Sequence, residues 1–172
     1  MGYRGCYELA VANLAEETQL VTFKLGNEEY GVDIMQVQEI IRLTNIVKVP
    51  NAPHFVEGVI DLRSRVIPII DLRKRFGIPE CGKTGSSRIV VVNMNDTTVG
   101  LIVDSVSEVI RIPVKALEPL PEIATSVDSR FLRGIARVED RLIILIDLAC
   151  VLSRDESSAL EMLESSTHKG EG

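Results

Sequence analysis

FVEGVIDLRSRVIPIIDL, residues 55–72, recurs without a gap as FLRGIARVEDRLIILIDL at residues 131–148. Seven of the aligned positions are identical, and both copies close on the pair Asp-Leu, which begins at Asp71 and at Asp147. In each copy a turn separates two short apolar stretches, which is the pattern of a β-hairpin. A repeat over this length predicts that one β unit occurs twice in the chain.

The repeat continues upstream of both copies at a second constant spacing, in which Gly31 and Val37 correspond to Gly100 and Val106. Apolar runs on either side of turn residues predict a further hairpin in each unit. The strands of these hairpins are predicted at Leu20–Leu25, Glu29–Val32, Ile89–Met94 and Val99–Val103. The segments that follow them, residues 34–41 and 103–110, have an ambiguous period, and we expect one helical turn leading into a strand in both.

The composition agrees with a β fold. Apolar residues make up 45% of the 172 residues but aromatic residues only 4%, so Val, Ile and Leu must supply most of the core, and these residues favour strands. About five short strands per unit cannot bury both faces of a flat sheet, so each unit is expected to close into a small barrel. The sequence therefore predicts a mainly β protein with two five-stranded barrel subdomains around a shared core and a few short helices.

Charge and cysteine content narrow the classes of function. The net charge is −6 and the Lys and Arg residues are scattered, which argues against a surface that follows the phosphates of a nucleic acid. Cys6, Cys81 and Cys150 lie far apart, which indicates a reducing cytoplasm. The apolar runs are too short to span a membrane. A signal peptide would need an apolar run near the N-terminus, and Glu8 interrupts that region. We expect a cytoplasmic protein whose partner is another protein.

One loop matches a nucleotide-binding motif. Gly77–Thr84 reads GIPECGKT and satisfies the phosphate-loop expression, and Asp147 follows an apolar strand as a Mg²⁺-binding acid does. Phosphate binding requires a strand before the loop and a helix immediately after it. Here a helical turn at Leu72–Phe76 precedes the loop and a strand from Ile89 follows it, so the order is inverted. Asp147 also has a duplicate at Asp71, and both are expected to cap the turns that follow them. Nucleotide binding through this loop stays as a minor alternative.

Other catalytic or metal sites are poorly supported. His54 and His168 are the only histidines, and neither belongs to a cluster at metal-ligand spacing. Asp61 and Asp71 could in principle act as an acid–base pair. Asp71 is duplicated as Asp147, and Asp61 corresponds to Arg137 in the other unit, so structural and surface roles are favoured for them. We expect no catalytic residue, no metal and no cofactor.

Several sequence blocks follow one another in a definite order. They are GVDI at 31–34, VQEII at 37–41, VKVP at 47–50, FVEGVIDLR at 55–63, IPIIDL at 67–72, GLIVDSV at 100–106 and RGI at 133–135. With these blocks the chain resembles the CheW family of bacterial chemotaxis coupling proteins, from about Leu20 to Leu152. Ser64 departs from the family pattern, which commonly has Gly there, and this leaves the turn type of the hairpin open.

The resemblance implies two SH3-like subdomains and a non-catalytic adaptor that joins methyl-accepting chemotaxis receptors to the histidine kinase CheA. It assigns contacts with the regulatory domain of the kinase to Ile46, Val49 and Arg63. It also implies that the helical tip of the receptor lies in the groove between the subdomains. The residues assigned to that groove are Val21, Ile34, Val37, Glu39, Ile40 and Val106. The free protein is expected to be a monomer that membrane receptor arrays recruit without membrane insertion.

We expect three regions along the chain. Residues 1–17 form a flexible arm, residues 18–154 a CheW-like domain of two intertwined subdomains, and residues 155–172 a helix with a disordered tail. A capping box at Ser153–Glu156 predicts the start of that helix. An adaptor of a chemotaxis-like pathway, for example in pilus motility, fits the same sequence and remains an alternative.

The tips of the two repeated hairpins carry opposite charges. Asp61 and Arg63 in the first unit correspond to Arg137 and Glu139 in the second. A hairpin tip that needs only solvation accepts either sign, so surface drift explains this difference equally well. The functional interpretation is that the two units face different partners.

Overall fold

The computed structural model describes residues 17–79, 82–94, 96–119 and 129–152. Within these ranges the strands are β1 (Glu17–Leu25), β2 (Glu28–Asp33), β3 (Val37–Arg42), β4 (Val56–Leu62), β5 (Arg65–Asp71), β6 (Arg88–Met94), β7 (Thr97–Val103), β8 (Ser105–Pro113), β9 (Leu117–Glu118), β10 (Leu132–Val138) and β11 (Arg141–Ile146). The α-helices are α1 (Leu72–Phe76) and α2 (Leu148–Val151), and single 3₁₀ turns occupy Ile34–Gln36, Val114–Ala116 and Ser129–Phe131. The prediction of a mainly β protein with short helices is confirmed. The helix predicted from Ser153 and nearly all of the predicted arm lie outside the described residues.

The strands form two sheets that exchange hairpins between the two halves of the chain. The six-stranded sheet has the order β8-β1-β2-β11-β10-β9, and the five-stranded sheet has the order β3-β6-β7-β5-β4. Each sheet thus combines the first hairpin of one repeat unit with the remaining strands of the other. The exchanged hairpins join by the same parallel pairing, with Gly31 opposite Leu145 in one sheet and Gly100 opposite Ile69 in the other. The result is a pair of intertwined SH3-like subdomains.

Three apolar cores follow from this arrangement. One lies within each subdomain, and some of their members are equivalent in the repeat, such as Ile67 with Ile143. The largest core takes side chains from both sheets, among them Phe23 of β1 and Val92 of β6, so it lies between the subdomains. Burying one such side chain fully contributes about 1.5–3 kcal/mol. The predicted shared core is confirmed, and it is larger than the core of either subdomain.

The difference in strand number between the sheets is small. The sixth strand, β9, has two residues and pairs with β10. Its counterpart in the other sheet is the single bridge between Val47 and Val59, which forms two backbone hydrogen bonds of 2.8 and 2.9 Å. The two subdomains therefore share one plan.

A helical turn was predicted after the first hairpin of each repeat unit, and it forms in only one of the two units. Residues 34–41 contain the 3₁₀ turn followed by β3, as predicted. Asp33 caps this turn, since its carboxylate accepts a hydrogen bond of 2.9 Å from the Met35 amide. The prediction for residues 103–110 is wrong, because β8 starts at Ser105 directly after a bend at Asp104. The repeat equivalent of the Asp33 cap is Ile102, which has no oxygen to accept such a bond.

Both short α-helices begin at the repeated aspartate, as predicted. The Asp71 carboxylate accepts hydrogen bonds from the amides of Arg73 and Lys74, at 2.9 and 3.5 Å. The Asp147 carboxylate accepts one of 3.1 Å from the Ala149 amide. These bonds satisfy amides that have no partner within the helix.

Candidate interaction surfaces

Most of the residues assigned to a receptor groove lie where the two subdomains meet. Ile34, Val37 and Val106 are half-buried and pack against the core between the sheets. Ile40 lies farther along β3 and is 39% exposed. The side chain of Val21 is only 1% exposed, so it supports this region from beneath and is not itself accessible.

The residues assigned to kinase contact lie on the five-stranded subdomain. Ile46 is half-buried and packs against the core of that subdomain, and Val49 is also half-buried. Between them Val47 is 58% exposed. Val47 was not among the predicted contact residues. In an extended segment, neighbouring side chains point to opposite faces, so a buried Ile46 would have indicated an exposed Val47.

An ion pair joins the two predicted sets of residues. Arg63 Nη2 lies 2.8 Å from Glu39 Oε2, and the two side chains are 79% and 22% exposed. Arg63 was assigned to the kinase surface and Glu39 to the receptor groove. An exposed pair of this kind contributes at most about 1 kcal/mol to stability. Its main effect is therefore to set the position of the two side chains relative to each other.

The hairpin turn explains why the Arg63 side chain projects. Arg63 and Ser64 have φ values of 53° and 67°, and a type I′ turn requires positive φ at both central residues. The turn type that the sequence left open is thus of the primed class, even with Ser in place of Gly. The side chain of Arg63 projects from this tip into solvent.

The second subdomain repeats the acidic partner but not the arginine. Glu108, the equivalent of Glu39, lies 2.6 Å from Arg141 Nη1, and Arg141 also pairs with Glu29. Arg137 Nε instead lies 3.1 Å from Glu118 Oε2. The hairpin tip at Glu139 therefore presents an acid where the first subdomain presents Arg63.

The most exposed large apolar side chain among the described residues is that of Met35, at 87%. It lies in the 3₁₀ turn between β2 and β3, beside Ile34. A helical turn places neighbouring side chains on different faces, so an exposed Met35 beside a half-buried Ile34 is consistent with the predicted turn. A turn of three residues is too short for the sequence pattern to show which side chain is exposed. Met35 was not among the predicted contact residues.

The loop that matches the nucleotide-binding expression has the wrong local structure. After Lys83 the chain turns on itself, since the Thr84 amide donates to Ser87 Oγ at 2.9 Å and the Ser87 amide donates to the Thr84 carbonyl at 3.1 Å. The strand β6 follows this turn, where a phosphate-binding loop requires a helix. These amides are directed to partners within the loop and do not converge on an anion.

The cavity beside this loop has a volume of about 140 Å³, and carboxylates line it together with basic groups. Burial raises the pKa of Asp71, against the lowering effect of its backbone hydrogen bonds. Burial also opposes the charged form of Glu57, but the hydrogen bond from Lys74 and the nearby Lys83 outweigh it and lower the pKa of this carboxyl group. Asp71 and Asp104 line the cavity beside Arg73 and Lys83, so the lining has as many acidic as basic side chains.

Among residues 17–79, 82–94, 96–119 and 129–152, no group of three or more His, Cys, Asp or Glu side chains is placed to hold a metal ion. In the same part of the chain, no helix has the length and apolar character needed to cross a membrane.

The family follows from comparison with known proteins. A family model described as a CheW-like domain matches residues 19–156. The chain belongs to this family. A chemotaxis protein CheW of Klebsiella aerogenes is 35% identical over 159 residues, which cover 91% of this chain and 96% of that protein. The chemotaxis protein CheW of Treponema pallidum is 36% identical over 152 residues, covering 86% and 89%.

A solved structure agrees with the fold. The crystal structure of the scaffolding protein TtCheW from Thermoanaerobacter tengcongensis superposes with a TM-score of 0.76 at 42% identity, covering 82% of this chain and 91% of that one. The CheW family consists of non-enzymatic adaptors of chemotaxis signalling. This chain is accordingly a CheW-family adaptor and not an enzyme.

Proposed function

We propose that this protein couples methyl-accepting chemotaxis receptors to the histidine kinase CheA by holding both in a fixed geometry. The observation that carries the proposal is the ion pair between Glu39 and Arg63, because it joins an accessible residue predicted to contact the kinase to a residue of the predicted receptor groove. An adaptor of this kind passes a signal as a population shift within the assembly, and needs no chemistry of its own.

The kinase side of the proposal rests on the five-stranded subdomain. Arg63 projects from the hairpin tip, and the exposed Val47 lies between Ile46 and Val49 on the same subdomain. An apolar patch with a charged rim is the usual composition of a protein interface. We assign the regulatory domain of CheA to this surface.

The receptor side rests on the region between the subdomains. Ile34, Val37 and Val106 present apolar surface there, with Ile40 more exposed and Glu39 beside it. A helix that lays its apolar face into a groove needs such a row of apolar contacts. We assign the helical tip of a receptor to this groove, and recruitment to membrane receptor arrays from the cytoplasm follows from that contact.

The test is a pair of titrations with reciprocal variants. Arg63→Ala removes the projecting cation and is expected to weaken a micromolar complex with the CheA regulatory domain about tenfold. Ile40→Glu places a charge in the groove and is expected to weaken binding of a receptor cytoplasmic fragment to a similar degree. Ile40→Glu should leave kinase binding within about twofold of the original affinity. Arg63→Ala also releases Glu39 from its ion pair, so it is expected to change receptor binding, but by less than kinase binding.

Arg137→Ala is the matched control, since Arg137 is an exposed, ion-paired arginine on the hairpin of the other subdomain. If Arg137→Ala weakens kinase binding and Arg63→Ala does not, the kinase surface lies on the other subdomain. No binding to CheA, but binding to the kinase of a pilus-controlling pathway, would favour the alternative adaptor role.

A further inference from the structure

The described strands pass from one sheet to the other at two places. The first crossing is the 3₁₀ turn Ile34–Gln36 between β2 and β3, and the second is Asp104 between β7 and β8. The two crossings correspond in the repeat, where Met35 is the equivalent of Asp104. Met35 points into solvent, whereas Asp104 is held by other groups. The two crossings are therefore built differently.

Asp104 connects segments of both subdomains. Its Oδ1 accepts a hydrogen bond of 2.8 Å from Arg73 Nε, and its Oδ2 accepts one from Arg73 Nη2 and one of 2.8 Å from the Gly26 amide. The Asp104 amide donates to the Lys24 carbonyl at 3.0 Å. Arg73 belongs to α1, which follows the five-stranded sheet, while Lys24 and Gly26 belong to the β1-β2 hairpin of the six-stranded sheet. We call the contact of Arg73, Asp104 and Gly26 the crossing bridge.

The geometry of the crossing bridge is restrictive. The guanidinium group binds the carboxylate through two nitrogens, which fixes orientation as well as distance. The Arg73 side chain is only 12% exposed, and its Nη1 also donates to the Pro79 carbonyl at 2.5 Å. The hydrogen bond from Arg73 lowers the pKa of Asp104.

Within the part of the chain that the structure describes, the first crossing does not repeat this arginine–aspartate contact. The repeat equivalent of Arg73 is Ala149 and that of Asp104 is Met35, and neither of these side chains carries a charge. The second crossing is held by this charged contact, whereas the first is held by the Asp33 cap on the Met35 amide and by the packing of Ile34 and Val37 against the shared core. Ile34 and Val37 lie at the crossing without the bridge, and Val106 lies two residues after Asp104.

We propose that the crossing bridge sets the angle between the two subdomains, and through that angle the shape of the groove between Ile34, Val37 and Val106. This inference rests on the proposed receptor-binding function of the groove. Arg73 and Asp104 are positioning residues that do not touch the partner. A rotation about the fastened crossing changes the separation of the groove residues most at the other crossing, where a helical partner has to fit.

The test measures the angle and the binding separately. Spin labels at the exposed positions Thr44 and Asp140, one on each subdomain, report the distance between the subdomains after the three native cysteines are replaced with serine. Arg73→Gln is expected to broaden this distance distribution and to weaken binding of a receptor cytoplasmic fragment about tenfold. Binding of the CheA regulatory domain should stay within about twofold.

Lys74→Gln is the matched control, because Lys74 neighbours Arg73 but pairs with Glu57 inside one subdomain. Arg73→Lys, which keeps the charge, should recover part of the receptor affinity. Urea unfolding of every variant separates loss of the bridge from loss of the fold.

The proposal is overturned if Arg73→Gln leaves the distance distribution and the receptor affinity unchanged. It is also overturned if both partners are lost equally and Lys74→Gln does the same, since the bridge would then be a general structural contact. If the original protein binds no receptor fragment, the proposed function fails and the groove role fails with it. The distance distributions then still decide whether the bridge sets the angle.

Discussion

Gly58 and Gly134 occupy equivalent positions in the two repeat units, and the structure explains why both are glycine. Their identity in the repeat was visible in the sequence, but its cause was not. A Cβ atom on Gly58 would lie 2.2 Å from the Val47 carbonyl oxygen, and one on Gly134 would lie 2.5 Å from that of Glu118. The glycines are thus required by a close backbone approach from another segment, which no local pattern encodes.

Gly58→Ala is expected to lower the free energy of unfolding by about 2–4 kcal/mol, because the added methyl group meets backbone at a residue whose φ is +150°. Gly85→Ala is the matched control, since a Cβ atom there has no neighbour within 4 Å. Its effect should stay within about 0.5 kcal/mol. Urea unfolding of both variants measures the difference, and equal stability of the two would contradict the close approach at Gly58.

At the scale of elements, α1 and α2 have five and four residues, too few to be stable alone. They form because an aspartate caps each start and because buried side chains such as Leu72 and Leu148 hold them against the core. The repeated Asp-Leu pair made both helices predictable. The helical turn expected at residues 103–110 was not, because the two copies of this segment differ in the one capping residue that decides the conformation.

Asp147→Ala is expected to cost about 1 kcal/mol of unfolding free energy, as removal of an N-cap usually does. Asp147→Asn should retain most of the stability, since an asparagine oxygen can accept the same bond from the Ala149 amide. Thermal unfolding of the two variants provides the comparison. A loss of equal size in both would mean that the charge of Asp147, and not its capping bond, matters.

At the scale of the whole molecule, the repeat made the two β units and their shared core predictable. Intertwined subdomains were expected, but the repeat did not show which hairpins are exchanged. The repeat gives both copies the same pairing surface, as in the equivalent registers of Gly31 with Leu145 and Gly100 with Ile69. A hairpin could therefore join its own unit or the other one with the same local contacts. The contact residues of the two proposed surfaces came from the family resemblance. The sequence did not show that the side chain of Val21, one of these residues, is buried and therefore inaccessible to a partner.

The crossing bridge predicts a dependence of stability on acid. Arg73 lowers the folded-state pKa of Asp104, while the unfolded value stays near the ordinary one of about 3.9. The bridge therefore stabilises the protein above about pH 4, and this contribution is lost as the pH falls through the lower folded pKa. The difference in unfolding free energy between the original protein and Asp104→Asn should be largest near neutral pH and shrink below about pH 4. Urea unfolding over that range measures it, and a constant difference would argue against a charged bridge.

The exchange of hairpins also sets the order in which the molecule can be assembled during its synthesis. All strands of the five-stranded sheet lie between Val37 and Val103, so that sheet has every component once the first 103 residues have left the ribosome. The hairpin β1-β2 is made before any of them, yet its partners β8 and β11 come later, the last ending at Ile146. When the last strand of the five-stranded sheet has been made, the hairpin β1-β2 therefore still lacks the partners of both its edges.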